Sequence, residues 1–214
     1  MKVEEIKKEI ATLERTKFGI SIPALRKLGK RIAKEDHRFF LDNNPKDTFE
    51  LRLLQGFVIG YAKDDITTLL KYFEEFIPYV SDWAECDLFC QSFKITAKYP
   101  DVVYDMLMKY RHSEKEFESR IVSVMLLCHY LNDEYIDRVI DVLDSLDTSE
   151  YYSMMGVAWA IATVMAKYPE KCMNYLKGEN NLDNRTYNKA LQKSRESYRV
   201  PDSIKEETKK MKRS

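Results

Sequence analysis

Four tyrosines, Tyr61, Tyr99, Tyr130 and Tyr168, recur at intervals of 38, 31 and 38 residues, and around two of them the chain reads Ala-Lys-Tyr-Pro, at 97–100 and 166–169. Each tyrosine closes a long apolar stretch and is followed by a helix-start signal: Asp64-Asp65-Ile66, Pro100-Asp101-Val102, Asp133-Glu134-Tyr135-Ile136 and Pro169-Glu170-Lys171. A helix pair repeated at such a period cannot bury its apolar face alone and must stack on its neighbours. Only six Gly and six Pro punctuate 214 residues, and no alternating β-branched run with hairpin turns calls for a sheet.

The pattern predicts an all-α chain, an α-solenoid of HEAT-like antiparallel helix pairs forming a curved superhelix. A single domain is expected over 1–200, followed by a basic C-terminal helix or tail over 201–214. Apolar spacing from Val3 to Leu13 gives a first helix, stopped by Gly19. A second, with Ser21 or Ile22 at the cap and Pro23 in the first turn where its missing amide is harmless, runs to about Lys34. A short helix over 36–41, a turn over 43–47, and a helix capped by Thr48 and running to Tyr61 come next. In such an array one helix of each pair lines a continuous face, so residues distant in sequence converge there. The helices beginning near Asp82, Glu116 and Tyr151 are the candidates for that face.

Composition narrows the function. The four cysteines, Cys86, Cys90, Cys128 and Cys172, sit within apolar helical patterns without disulfide-framework or zinc-ligand spacing, and no secretory leader precedes them. A reduced, cytoplasmic protein with buried thiols, and no metal or cofactor, is the expectation. No apolar run reaches the roughly 20 residues of a membrane span. Formal net charge is zero, but residues 1–38 hold eleven Lys/Arg against six Asp/Glu and residues 187–214 nine against four, leaving the middle acidic. Each basic end reads equally as an electrostatic footprint or as a solvated terminus.

Within Ser81 to Cys90, Trp83 and Asp87 stand one helical turn apart, so an indole and a carboxylate share one face. Taken alone, they read as a core Trp beside an Asp that favours the helix dipole. Arg120 begins an otherwise apolar helix and reads alone as a snorkelling charge or a partner of Glu116. Trp159, among small neighbours in Met154 to Ala162, reads alone as core packing.

Together these pieces resemble the DNA alkylation repair family of HEAT-like glycosylases, often called AlkD-like. The matching segments are Gly19-Ile20-x-x-Pro23-x-x-Arg26-x-Leu28, Trp83-x-x-x-Asp87, Glu118-Ser119-Arg120, Gly156-Val157-Ala158-Trp159, and Asn184-Arg185 through Ala190 to Lys193. Their order and spacing cover nearly the whole chain. The resemblance implies hydrolysis of the N-glycosidic bond of cationic N3- or N7-alkylated purines in double-stranded DNA, with Asp87, Trp83, Trp159 and Arg120 at the lesion; a monomer is the expectation. Asp87 would stabilise an oxocarbenium-like sugar and orient water, the indoles would attract the same charge, and Arg120 would hold a phosphate or keep Asp87 ionised.

Phosphate contacts are expected from Arg26, Lys27, Lys30 and Arg31 near the start, from Lys94, and from Arg185, Lys189, Lys193 and Arg195 near the end. Where better-known members carry aromatic or basic residues, this chain has Asp82, Glu85, Met154 and Met155, and acidic groups beside a DNA cleft repel phosphates. Two other readings compete: a catalytically silent HEAT-like protein that binds branched or damaged DNA, and a protein-interaction solenoid.

Overall fold

The computed structural model describes residues 3–17 and 19–214. The chain forms two compact units, Met1–Tyr99 and Pro100–Ser214. In the first, α1 (Val3–Thr12) leads into a pair of two-residue antiparallel strands, β1 (Arg15–Thr16) and β2 (Gly19–Ile20), and then α2 (Ile22–Glu35), α3 (His37–Asn43), α4 (Phe49–Tyr61), α5 (Ile66–Phe76) and α6 (Trp83–Ser92). In the second are α7 (Pro100–Met108), α8 (Glu116–His129), α9 (Ile136–Ser145), α10 (Tyr151–Lys167), α11 (Pro169–Lys177), α12 (Asn184–Glu196) and α13 (Asp202–Lys209). The small hairpin departs from the expectation of helices alone. Gly19 takes φ +112°, open to glycine, and strands of two residues carry no periodicity to read.

Two caps form where the sequence predicts them, whereas Ser21 before α2 makes no side-chain cap bond. Thr48 Oγ1 accepts the Leu51 amide and Asp65 Oδ1 the Thr68 amide, at 3.3 and 2.9 Å, satisfying donors that a helix start leaves unpaired. Tyr61 closes α4, and Tyr130 and Tyr168 stand just past the last residues of α8 and α10. Tyr99 differs: α6 ends at Ser92, and a 3₁₀ turn over Lys94–Ala97 fills the space before it.

Three of these tyrosines share a physical role. The Tyr61 hydroxyl accepts from Arg26 Nη1 at 2.7 Å, the Tyr130 hydroxyl donates to the Pro100 carbonyl at 2.8 Å, and the Tyr168 hydroxyl donates to Asp133 Oδ1 at 2.9 Å. Each bond reaches back 30 to 35 residues, about one repeat. The ring fills the helix end while the polar tip ties it to the preceding pair.

In the first unit α4 packs between α2 and α6, and in the second α10 packs between α8 and α12. Both central helices are apolar nearly all round, as a helix covered on two sides must be. Glycine lets them approach their neighbours closely. A Cβ on Gly60 would lie 2.5 Å from Ser92 Cβ and 2.8 Å from its backbone C and O; one on Gly156 would lie 2.6 Å from Ser123 Oγ.

Gly60→Ala gains about 1 kcal/mol of helix propensity, but it meets backbone that cannot rotate aside. Overpacking of this kind costs about 1–3 kcal/mol, and contact with main chain puts it at the upper end. The expected result is a lower urea midpoint with an unchanged m-value; a midpoint at or above the parent's would refute the close approach.

Cys86, Cys90 and Cys172 are buried, Cys128 partly so, and all four are free thiols. Burial pushes the Cys172 thiol up to about 12, which suits a packing group rather than a nucleophile. Among the described residues no helix is long and apolar enough to cross a membrane.

Candidate functional site

Helix α6 begins where Asp82, in extended conformation, accepts the Ala84 amide at 2.7 Å. The cap leaves Trp83 at the first helical position, 51% exposed. One turn on, Asp87 is only 7% exposed. An indole half open to solvent next to a nearly buried carboxylate is the reverse of the core-Trp reading, because it forgoes roughly half of the 1.5–3 kcal/mol that full burial of a large apolar side chain contributes.

Glu85 sits on the buried side of the same helix. Its Oε1 accepts from Arg52 Nε at 2.7 Å and its Oε2 from the Ser81 amide at 2.9 Å. The two acidic residues beside Trp83 are therefore structural: Asp82 caps the helix and Glu85 anchors it to α4. The repulsion expected of Glu85 does not apply to a side chain that is internally paired and 1% exposed.

In the second unit Gly156 brings α10 against α8 at Arg120 and Ser123. Arg120 is 6% exposed and donates from Nη1 to the Tyr152 carbonyl at 2.9 Å. Its guanidinium carbon lies 5.9 Å from the centroid of the Tyr152 ring. It is thus a buried, oriented charge and no snorkelling surface arginine. Glu116 accepts the Tyr152 amide, fixing the first turn of α10 to α8.

One turn beyond Gly156, Trp159 is half-buried on a partly exposed stripe of α10 that includes Tyr152, Met155 and Thr163. It lines a shallow cavity of about 180 Å³ with Thr163, Lys193, Glu196 and Arg199. Burial holds the Lys193 ammonium below its ordinary range; Glu196 opposes the shift, while the charges of Lys189 and Arg120 add to it. Arg120, Trp159 and Lys193, from α8, α10 and α12, therefore belong to one electropositive neighbourhood.

The cationic residues fall into two kinds. Arg26 bonds both Tyr61 Oη and Ser92 Oγ, at 2.7 and 3.0 Å, and lies 4.5 Å from the Phe57 ring centroid, so it braces α2, α4 and α6. Lys30 Nζ stands 4.9 Å over the Tyr61 ring. Burial pushes the Tyr61 phenol up, but the bonds from Arg26 and Ser92 and the charges of Arg26 and Lys30 outweigh it and leave the phenol below its ordinary range.

Next to this brace, Tyr61, Lys94 and Lys98 line an open groove of about 570 Å³. Lys27 is exposed on α2, and Arg31 pairs with Glu9 at 2.5 Å. In the second unit Arg185 donates from Nη2 to the Thr148 and Ser149 carbonyls at 2.6 and 2.7 Å, and Lys189 donates to Gln192 at 2.9 Å.

Trp83 and Asp87 thus share one helix of the first unit, and Arg120 and Trp159 share one helix contact of the second. Sequence reading missed Lys98, Arg199, Tyr152 and the Arg52 partner of Glu85. Lys98 stands in the repeated Ala-Lys-Tyr-Pro and was open to notice; the others depend on contacts between distant segments. Among the described residues no group of three His, Cys, Asp or Glu is placed to hold a metal ion.

Neither curated proteins nor solved structures gave a match to this chain. A family model did: the one described as DNA alkylation repair enzyme matches residues 4–194, which includes most of each unit together with Trp83, Asp87, Arg120 and Trp159. The chain belongs to the DNA alkylation repair enzyme family.

Proposed function

We propose that the protein is a DNA glycosylase that hydrolyses the N-glycosidic bond of cationic N3- and N7-alkylated purines in duplex DNA. The observation that carries the reading is that both tryptophans of the chain escape the core, Trp83 beside the near-buried Asp87 and Trp159 beside Lys193, whose ammonium feels the charge of Arg120. Two accessible indoles, a carboxylate and an oriented guanidinium suit a substrate that carries positive charge on one part and phosphate on another.

An alkylated purine is a good leaving group because the glycosidic electron pair neutralises its ring charge as the bond breaks. Positive charge then develops on the sugar. Asp87 stabilises that charge and receives the proton of the water that adds at C1′, so the products are the free base and an abasic sugar. Trp83 and Trp159 offer electron-rich faces to the cation, and Arg120 holds a phosphate. Lys27, Lys30, Lys94, Arg185, Lys189 and Lys193 supply the surrounding phosphate contacts, with Arg26 positioning Tyr61 and Lys30.

We also infer that α2, α4, α6 and α8, α10, α12 are successive inner helices of HEAT-like pairs, and that the protein works as a cytoplasmic monomer. The alternation of central and flanking helices within each unit supports the first point, and four free thiols fit a cytoplasmic location.

The test is release of N7- or N3-methylpurine from methylated duplex DNA at low salt, monitored chromatographically. Release of the free base is the expected result. Tight DNA binding without release would replace this reading with that of a catalytically silent DNA-binding protein.

A further inference from the structure

The family match ends at residue 194, and the remaining C-terminal residues are not a loose tail. Helix α13 lies against α12, and the segment after it folds back along α12 as a strap. Arg213 fastens it. Its amide donates to Asn188 Oδ1 at 2.9 Å and its carbonyl accepts from Asn188 Nδ2 at 2.8 Å, a reciprocal pair. Its guanidinium donates to the Leu182 carbonyl and to Asn180 Oδ1, at 2.9 and 3.0 Å, and lies 3.7 Å from the Tyr187 ring centroid. An arginine engaged at five points sets the position of the residue before it, Lys212.

That residue completes a groove of about 370 Å³ whose wall includes Arg185, Lys189, Arg195 and Lys212 around Leu191. Arg195 donates to the Thr208 carbonyl at 3.4 Å, and Arg185 to the two carbonyls before α10. Carbonyl partners aim a guanidinium without cancelling its charge, so the groove keeps a concentrated positive field. Glu196 bonds Gln192 at the edge of the same wall, at 2.8 Å. From Arg185 to Arg195 the helix rises about 15 Å, a span that, laid parallel to the duplex axis, takes in roughly four phosphates of one DNA strand at about 3.4 Å of axial rise each.

We propose that the C-terminal strap, clasped by Arg213, builds a second DNA-backbone site, in which Arg195 and Lys212 join Arg185 and Lys189 to bind phosphates away from the lesion. This rests on the reading of the protein as one that acts on DNA. It makes residues 195–214 part of the binding surface, although they lie beyond the family match.

Binding of unmodified duplex DNA, measured from about 50 to 200 mM salt, tests it. Each lost phosphate contact reduces the magnitude of the log K against log salt slope by about 0.9, equivalent to roughly threefold less salt sensitivity over that range. K212A and R195A are each expected to reduce the slope by about one contact. R213A is expected to reduce it similarly, although Arg213 does not line the groove, because it releases the strap that carries Lys212. K171A, which removes an exposed charge paired with Asp137 on α11, keeps the parent slope. Thermal unfolding confirms that each variant is folded.

Parent slopes in K212A and R195A overturn the groove, and a parent slope in R213A overturns the clasp; both leave the glycosylase reading standing. Reduced slopes with no base release by the parent sustain the groove and remove the glycosylase. Absence of DNA binding by the parent at 50 mM salt removes both.

Discussion

Asp87→Asn is expected to slow release of N7- or N3-methylpurine roughly 100- to 1000-fold, the range seen when one preorganised electrostatic group is removed from a reacting centre. The change is close to isosteric, so it alters charge while conserving shape. Asp87 is 7% exposed, and a carboxylate so placed interacts with a developing cation through little intervening water, where its field is strong. Binding of unmodified DNA is expected to hold or tighten, because a negative charge has been removed. The signature is therefore a fall in single-turnover rate without a fall in affinity. Trp83→Ala should lose less, about 2- to 30-fold, matching the roughly 0.5–2 kcal/mol of a cation–π contact. If Asp87→Asn releases base at the parent rate, Asp87 is a structural residue and the chemistry lies elsewhere.

The helices were legible because their signals are local. Thr48 and Asp65 cap where they stand, and the period of the tyrosines reflects bonds that each span about one repeat. The end of α6 at Ser92 was not legible. Its cause is tertiary: Ser92 Oγ donates to the Leu88 carbonyl and accepts from Arg26, 66 residues away, just where Gly60 draws α4 close. Likewise, the 3.6-residue period puts Trp83 and Asp87 on one face, but periodicity is silent on which of the two is buried. Arg26 illustrates the limit best. As a basic residue on an amphipathic helix it reads as a phosphate contact, whereas its bonds to Tyr61 and Ser92 make it a brace beneath Lys30. The strap could not be read either: Lys209 to Arg213 has the composition of a frayed end, and only its docking against Asn188 and Tyr187 distinguishes Arg213 from its neighbours.

Glu85 separates a structural from an electrostatic account of the acidic residues at the start of α6. If it acted as a surface charge near DNA, Glu85→Gln would strengthen binding and leave stability unchanged. Its burial and its bonds to Arg52 and Ser81 predict the opposite pattern, with unchanged DNA affinity and a less stable first unit. Arg52→Ala is the more severe change, since it strands the carboxylate. Breaking a buried ion pair from one side costs about 3–5 kcal/mol, most of it the penalty of an uncompensated charge. The Ser81 amide and hydroxyl remain as donors to Oε2, at 2.9 and 3.4 Å, and place the expected loss near the lower end. Urea unfolding monitored by Trp83 fluorescence in a Trp159→Phe background reads this unit alone. The double variant Arg52→Ala/Glu85→Gln should recover a large part of the loss, because the amide no longer demands a cation. A single Arg52→Ala within about 1 kcal/mol of the parent would put this pair among exposed ion pairs and return Glu85 to the surface. Because the pair also anchors the turn that carries Trp83, Arg52→Ala is expected to slow base release at temperatures where the rest of the chain stays folded, while Arg52→Ala/Glu85→Gln restores part of that rate.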